Sequence, residues 1–347
     1  MGYLDISAAL NWPDQENLNV GSAGNQALLL ERFDGRVHLA MQADALGRGL
    51  FSFIPLVGTD TRSNNVMGDP TITKVVAGIE PTAGTIPVGK MIVQVRQPIV
   101  AKIIHPMLAE IQDHLGILSR TPANFGKKVA KHEDITLFLQ GIKSVMYEHT
   151  TLEGTPTVIS GKGAGGILSK GTVKTLGASN DELDPTKLEI AIMSMHQSLA
   201  ERDIDPMSDG KAYMPPAQYF TLVKHDKLVS ADYSAGNANY ANVSIMRVCG
   251  LPIQMTNRIL STTDTVASPR SVDSIASLYG SGFETSATEA KVKVLWLTNS
   301  SIQVAEAIPM TTELFFDQKT LCWYLQTYEA FGCGPDRTDM CGAVFAY

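Results

Sequence analysis

The residues able to do chemistry are few, and their spacing serves none of the familiar reactions. Gly161-Lys162-Gly163-Ala164-Gly165-Gly166 matches G-x-G-x-x-G, the loop whose glycines let a backbone approach a dinucleotide pyrophosphate. That use requires a strand before the loop, a helix opening on it and an acidic residue about 20 residues later. Val158-Ile159 offers a short strand, but residues 167–175 carry no helical face and Gly171 interrupts them. A surface loop fits better than a cofactor cradle. Histidines stand at His38, His105, His114, His132, His149, His196 and His225, none of them in a helical metal pair. Cys249, Cys322, Cys333 and Cys341 form no C-x-x-C and have no paired histidine nearby. Reduced thiols are the simplest assignment, and Cys333 with Cys341 lacks the further ligands a metal would need. The sequence contains no G-x-S-x-G, no H-E-x-x-H, no Walker A motif and no paired-carboxylate motif. We therefore assign no catalytic residue, no cofactor and no metal site, and expect a protein that is not an enzyme.

What remains is architecture. A chain of 347 residues has room for two or three domains. Apolar residues make up 44 % and charged residues 18 %, enough for a sizeable core under a polar surface. A net charge of −7 argues against a dedicated nucleic-acid binder but permits a local basic face. Residues 90–143 form such a stretch: eight Lys and Arg against four acids, a local +4. No run of about 18 apolar residues exists to span a membrane, and the first residues lack the pattern of a signal peptide.

The longest element is a helix expected over 121–148, opened by Thr121-Pro122 as cap and first helical residue. Ile135, Phe138, Leu139, Ile142, Val145 and Met146 line one face, while Lys127, Lys128, Lys131, Glu133, Asp134 and Gln140 fall mostly off it. The remaining pieces are arranged around this spine. Residues 1–25 read as an irregular arm, followed by a short helix at 25–34 that Gly35 interrupts. Residues 48–100 read as a two-stranded excursion, with strands at 49–56 and 86–96 and a polar loop at 59–69. A ribbon of two strands is marginal alone in water, so this one needs a neighbour. Residues 101–118 repeat apolar residues at helical spacing. Residues 149–183 suggest loops and a small hairpin. Asp184-Pro185 opens a helix whose stripe is Leu188, Ile192, Met195 and Leu199, with Met193 also read as core. A second α/β unit follows: a strand at 211–214, a helix from Pro215-Pro216, a strand at 245–255 broken by a glycine turn, and a strand at 292–296. Its loops at 230–242 and 260–290 are polar and bury little.

The collinear order of these pieces resembles the HK97-like fold of tailed-phage major capsid proteins, and in pattern the T7-like podovirus group. The resemblance rests on the segments 24–37 and 47–55, on Lys211-Ala212-Tyr213 with 215–222, on 247–251 with Ile253, and on 328–334 with Gly342-Ala343-Val344. Gly334-Pro335-Asp336-Arg337 departs from the family's usual tail, and 260–290 reads as an insertion.

The resemblance implies an α+β protein with an N-terminal arm (1–46), an extended β loop (47–100) and a peripheral domain with the spine helix (101–209). An axial α/β domain (210–300) and a return to the peripheral domain (301–347) complete it. It further implies a homo-oligomer of pentamers and hexamers, an icosahedral shell around double-stranded DNA, assembled in the host cytoplasm and located in the virion. Portal and scaffolding proteins would be its partners, with no membrane. The alternatives are a cellular encapsulin-type cage and, from the glycine motif, a nucleotide-binding oxidoreductase. On the capsid reading, Lys127, Lys128 and Lys131 face packaged DNA, and Phe51, Phe53, Ile54, Ile92, Val93, Asn237 and Tyr240 meet neighbouring subunits.

Overall fold

The computed structural model describes residues 23–67, 74, 78, 88–95, 98–106, 117–147, 171–205, 210–225, 238–239, 244–245 and 247–347. The arm's residues 1–22, the glycine motif, Asn237 and Tyr240 lie outside them. The chain divides into two compact units. The first is Met1–Gly49, Val95–Asp134 and Glu306–Phe331; the second is Leu50–Gln94, Ile135–Ala305 and Gly332–Tyr347. Helices and strands alternate through both, and the fold is α+β.

In the first unit, helix α1 (Ala23–Asp44) runs straight through Gly35, where a break was expected. Its Val37 and Met41 pack on Phe125, Val129 and Ala130 of helix α2 (Ile117–Met146), with Met310, Trp323 and Leu325 completing the core. That burial outweighs the roughly 1 kcal/mol a glycine costs a helix. The spine helix starts at Ile117, so Thr121 is no cap and Pro122 lies inside the helix. There the proline forfeits one intrahelical bond.

Residues 101–106, the described start of the stretch 101–118 expected to be helical, belong to strand β4 (Ile99–Pro106). It pairs antiparallel with strand β13 (Cys322–Pro335), from Cys322 opposite Pro106 to Glu329 opposite Ile99. The branched run Ile99-Val100 and Ile103-Ile104 suits a pleated strand, and a distant partner supplies its hydrogen bonds. Helical spacing in so short a run does not distinguish the two. Strand β12 (Ile302–Asp317) extends this sheet in the order β12-β13-β4, and β1 (Phe53–Pro55) belongs to the second unit.

The second unit is built on a mixed sheet of order β5-β14-β11-β6-β10-β9. Its strands are β5 (Thr172–Thr175), β6 (Gly210–Met214), β9 (Arg247–Val248), β10 (Leu251–Met255), β11 (Val292–Thr298) and β14 (Cys341–Phe345). Strand β5 pairs parallel to β14, with Ala343 opposite Val173; the Thr157-Val158-Ile159 run of the expected small hairpin lies outside the described residues. Helix α3 (Pro185–Ala200) covers one face with Leu188, Ile192, Met195 and Leu199, packed with Ala212, Met214, Val294 and Trp296. Asp184 caps it as expected, its carboxylate accepting from the amides of Thr186 at 2.9 Å and Lys187 at 3.4 Å. On the other face, the Phe138 ring of α2 meets Tyr213 edge-on at 4.8 Å. Covered on both sides, the strand β11 is buried nearly throughout rather than alternating.

The 260–290 segment is not the loose surface insertion its composition suggests. Leu260 and Ile275 pack on Ile135 and Leu139, and Asp264 is fully buried. Asp264 accepts from the Arg270 amide at 3.0 Å, the Ser274 hydroxyl and the Ala276 amide at 3.4 Å. Burial alone would raise its pKa, but these donors prevail and hold it below the ordinary carboxylate value. Serine and threonine thus serve here as donors to a buried acid.

Candidate assembly surfaces

Glu133 and Asp134, adjacent on α2, both hold the segment that leads into residues 50–94. Neither is on the solvent side; both are fully buried. Asp134 accepts from the amides of Leu46 at 3.0 Å and Gly47 at 2.8 Å. Glu133 takes a forked contact from Arg48: Nε at 3.0 and 3.1 Å, Nη2 at 2.6 Å. The same Nη2 reaches Glu306 at 3.2 Å and lies 3.8 Å from Glu329. Burial works against the Arg48 charge, but its hydrogen bond to Glu133 and the charges of Glu133, Glu306 and Glu329 outweigh it and raise its pKa. One guanidinium therefore serves three carboxyl groups. The sequence marks Arg48 only as the start of the extended loop, because its partners lie 85 and 258 residues away.

Beyond that root, strand β2 (Thr61–Met67) pairs antiparallel with β3 (Val88–Gln94), Thr61 opposite Gln94 and Met67 opposite Val88. The outgoing strand is thus the polar stretch expected to be a loop, while Phe53 and Ile54 belong to β1. Backbone pairing with β3 supplies what its side chains do not, and the Asn64 amide donates to Asp336 at 2.6 Å. Ile92 is 60 % exposed, as a contact residue would be. Phe51 at 3 % and Val93 at 4 % are instead buried in their own chain, and Phe53 and Ile54 are half-buried. For Phe51 and Val93 the expectation of a free contact surface is corrected: their apolar area is already consumed within the fold.

Two surfaces escaped the sequence reading. On the sheet of the first unit, the Phe315 and Tyr324 rings stack at 5.0 Å with 3° between planes, and Lys102 Nζ lies 4.5 Å from the Tyr324 centroid. Val100 and Ile104 are exposed on the same strand as Lys102. On α3, Ile190 and Met193 are exposed, so Met193 is not core as Met195 is. The strand alternation at 100, 102 and 104 was the available signal for the first surface, hidden by the helical assignment.

Lys127, Lys128 and Lys131 are all exposed on the first half of α2. His196 Nδ1 contacts the Cys249 carbonyl oxygen at 2.7 Å, and His225 Nε2 lies 3.3 Å from Glu189. All four cysteines are unpaired. Burial, then the charge of Glu189, pushes the Cys249 thiol up to about 11; burial pushes Cys341 up to about 12 and Cys333 well up. None of these three is poised as a nucleophile. Among the described residues no cluster of His, Cys, Asp and Glu could hold a metal, and no helix is long and apolar enough to cross a membrane.

No family model and no curated protein matches the chain. Solved structures do. The capsid subunit in the asymmetric unit of the bacteriophage PhiM1 mature capsid superposes with a TM-score of 0.69 at 20 % identity, covering 87 % of each chain. The capsid of cyanophage P-SCSP1u gives 0.69 at 14 % identity, covering 87 % of this chain and 88 % of that one. A virus-like particle from Pyrococcus furiosus gives 0.50 at 10 % identity, covering 91 % and 99 %. The chain therefore has the fold of tailed-phage capsid subunits, the HK97-like α+β fold.

Proposed function

We propose that this chain is a major capsid protein: a structural, non-enzymatic subunit that self-assembles into the icosahedral head of a tailed phage. The observation that carries this reading is the match over 87 % of both chains with a subunit of an assembled mature capsid. The exposed Ile92 on a two-stranded ribbon and the exposed aromatic sheet face support it, since each offers apolar surface to a neighbour. The lower TM-score of the archaeal particle favours a phage head over a cellular cage.

Several finer assignments belong to the same proposal. Pentamers and hexamers close the shell around double-stranded DNA, with portal and scaffolding proteins as partners. Assembly takes place in the host cytoplasm, and the T7-like podoviruses are the group meant. Residues 210–300 form the axial domain, and Asn237 and Tyr240 contact neighbours there. Lys127, Lys128 and Lys131 face the lumen and touch phosphate without regard to sequence.

Electron microscopy of the expressed chain, alone and with the scaffolding protein of its own phage, tests the reading. Closed heads are expected. Small uniform cages would point to the encapsulin alternative. A chain that remains a soluble monomer under both conditions would refute the proposal.

A further inference from the structure

We propose that the Arg48–Glu133–Glu306–Glu329 cluster is a proton-operated latch on residues 46–49, closed while the buried Glu329 carboxyl holds a proton and open once that proton leaves. The proposal rests on the first unit alone and does not depend on whether the chain forms shells.

Among the described residues the charges do not balance. Arg48 donates hydrogen bonds to Glu133 and Glu306, while its Nη2 stays 3.8 Å from Glu329. Glu329 Oε2 is buried without a hydrogen-bond donor, 3.8 Å from Nη2. The Glu329 side chain is 4 % exposed and that of Glu133 1 % exposed, so water supplies neither with full solvation. An ionised Glu329 carboxylate is acceptor-only and would keep Oε2 buried with no donor. With Glu329 protonated, two carboxylates surround the guanidinium; without that proton, three do. Removing one charge from a buried cluster with one cation is the favourable state.

Every element around the cluster contributes. The turn at Gly47–Gly49 brings Arg48, α2 brings Glu133 and Asp134, β12 brings Glu306 and β13 brings Glu329. Asp134 is bonded to the amides of Leu46 and Gly47. On β4, the partner of Glu329 is Ile99, which does not titrate. Burial first, then the charge and hydrogen bond of Glu133, raise the Glu329 pKa well above its ordinary value, and Arg48 opposes this incompletely. Proton binding therefore favours the folded cluster. Its stabilisation is complete below about pH 4.5 and is lost as pH rises through the folded-state value, at up to about tenfold in the equilibrium constant per pH unit. Because Arg48 directly follows the two amides held by Asp134, loosening it loosens them.

The test uses the unassembled full-length chain. Hydrogen exchange at the Leu46 and Gly47 amides, corrected for intrinsic rates, is followed from about pH 5 to about pH 9 in the wild type and in Glu329→Gln. Protection in the wild type should fall by up to about tenfold per pH unit across the titration, and Glu329→Gln should be flat. Infrared spectroscopy of the wild type needs no variant. It should show a protonated carboxyl C=O band persisting above about pH 5.5, where ordinary carboxyls are ionised, and disappearing on further alkaline titration. An equal pH slope in Glu329→Gln, or no such band in the wild type, would overturn the latch. Should Glu329→Gln not fold, the wild-type infrared titration decides.

Discussion

Replacing Gly126 by alanine sets two effects of known size against each other. Alanine is the better helix former by about 1 kcal/mol, so an isolated α2 would gain. In the folded chain, however, a Cβ at 126 would sit 2.3 Å from the Val37 carbonyl oxygen, 2.9 Å from Ala40 Cβ and 3.0 Å from the Met41 amide. These are mostly backbone atoms of α1, which cannot rotate aside as a side-chain tip can. Restoring contact distance requires α1 to retreat by roughly 1 Å, opening the packing of Val37 and Met41 against Phe125, Val129 and Ala130. Overpacking of this kind costs about 1–3 kcal/mol, and a rigid obstacle places it near the upper end. The net expectation is a loss of roughly 2 kcal/mol. Gly35→Ala is the internal control: it sits in α1, is exposed, and a Cβ there meets nothing within 4 Å. It should gain about 1 kcal/mol, so the two variants should differ by roughly 3 kcal/mol with opposite signs. Urea denaturation of both, followed by circular dichroism, measures this. If Gly126→Ala is as stable as Gly35→Ala, the close approach of the two helices is not what the glycine is for.

Four other sets of changes probe separate parts of the chain. Asp264→Ala should destabilise by about 2–3 kcal/mol, since it strands buried donors; Asp264→Asn should weaken the loss of stability in acid, which the wild type suffers as pH falls from the ordinary carboxylate range through the lowered value of Asp264. Thermal melts from pH 3 to neutrality check both, and a neutral Asp264→Ala would deny the buried acid its role. Deleting residues 57–85 should leave folded subunit without closed particles in micrographs, and normal heads would show that the ribbon is not an assembly element. Changing Lys127, Lys128 and Lys131 to Gln should reduce salt-sensitive retention of DNA equally for any sequence, by a salt slope of about three fewer counterions, and lysines mapped to the exterior of an assembled shell would end that assignment. Charged or proline substitutions at Asn237 and Tyr240 should alter particle size or closure while circular dichroism of the subunit is unchanged, and unaltered heads would remove these residues from the subunit contacts.

Much of the fold was legible because its signals are local. Asp184-Pro185 caps a helix with its own carboxylate, within three residues of the amides it serves. The turn at Cys249-Gly250, both at positive φ, sits where a glycine in a branched run announces it. Strand 210–214 followed by a proline-led helix, and the exposure of the three lysines on α2, follow from the same short-range patterns. The collinear order of such pieces is what carried the resemblance to a capsid fold.

Tertiary structure decided the rest, wherever a distant segment outweighs a local preference. A run of isoleucines became β4 because Cys322–Glu329 lies alongside it. A polar stretch became β2 because β3 completes its hydrogen bonds. Phe51 and Val93 look like contact residues in sequence but are spent inside their own chain. Above all, Glu133 and Asp134 carry the mark of a solvated helix face. They are buried because an arginine and two amides, brought in from 85 to 88 residues away, replace the water that would otherwise hold their charge.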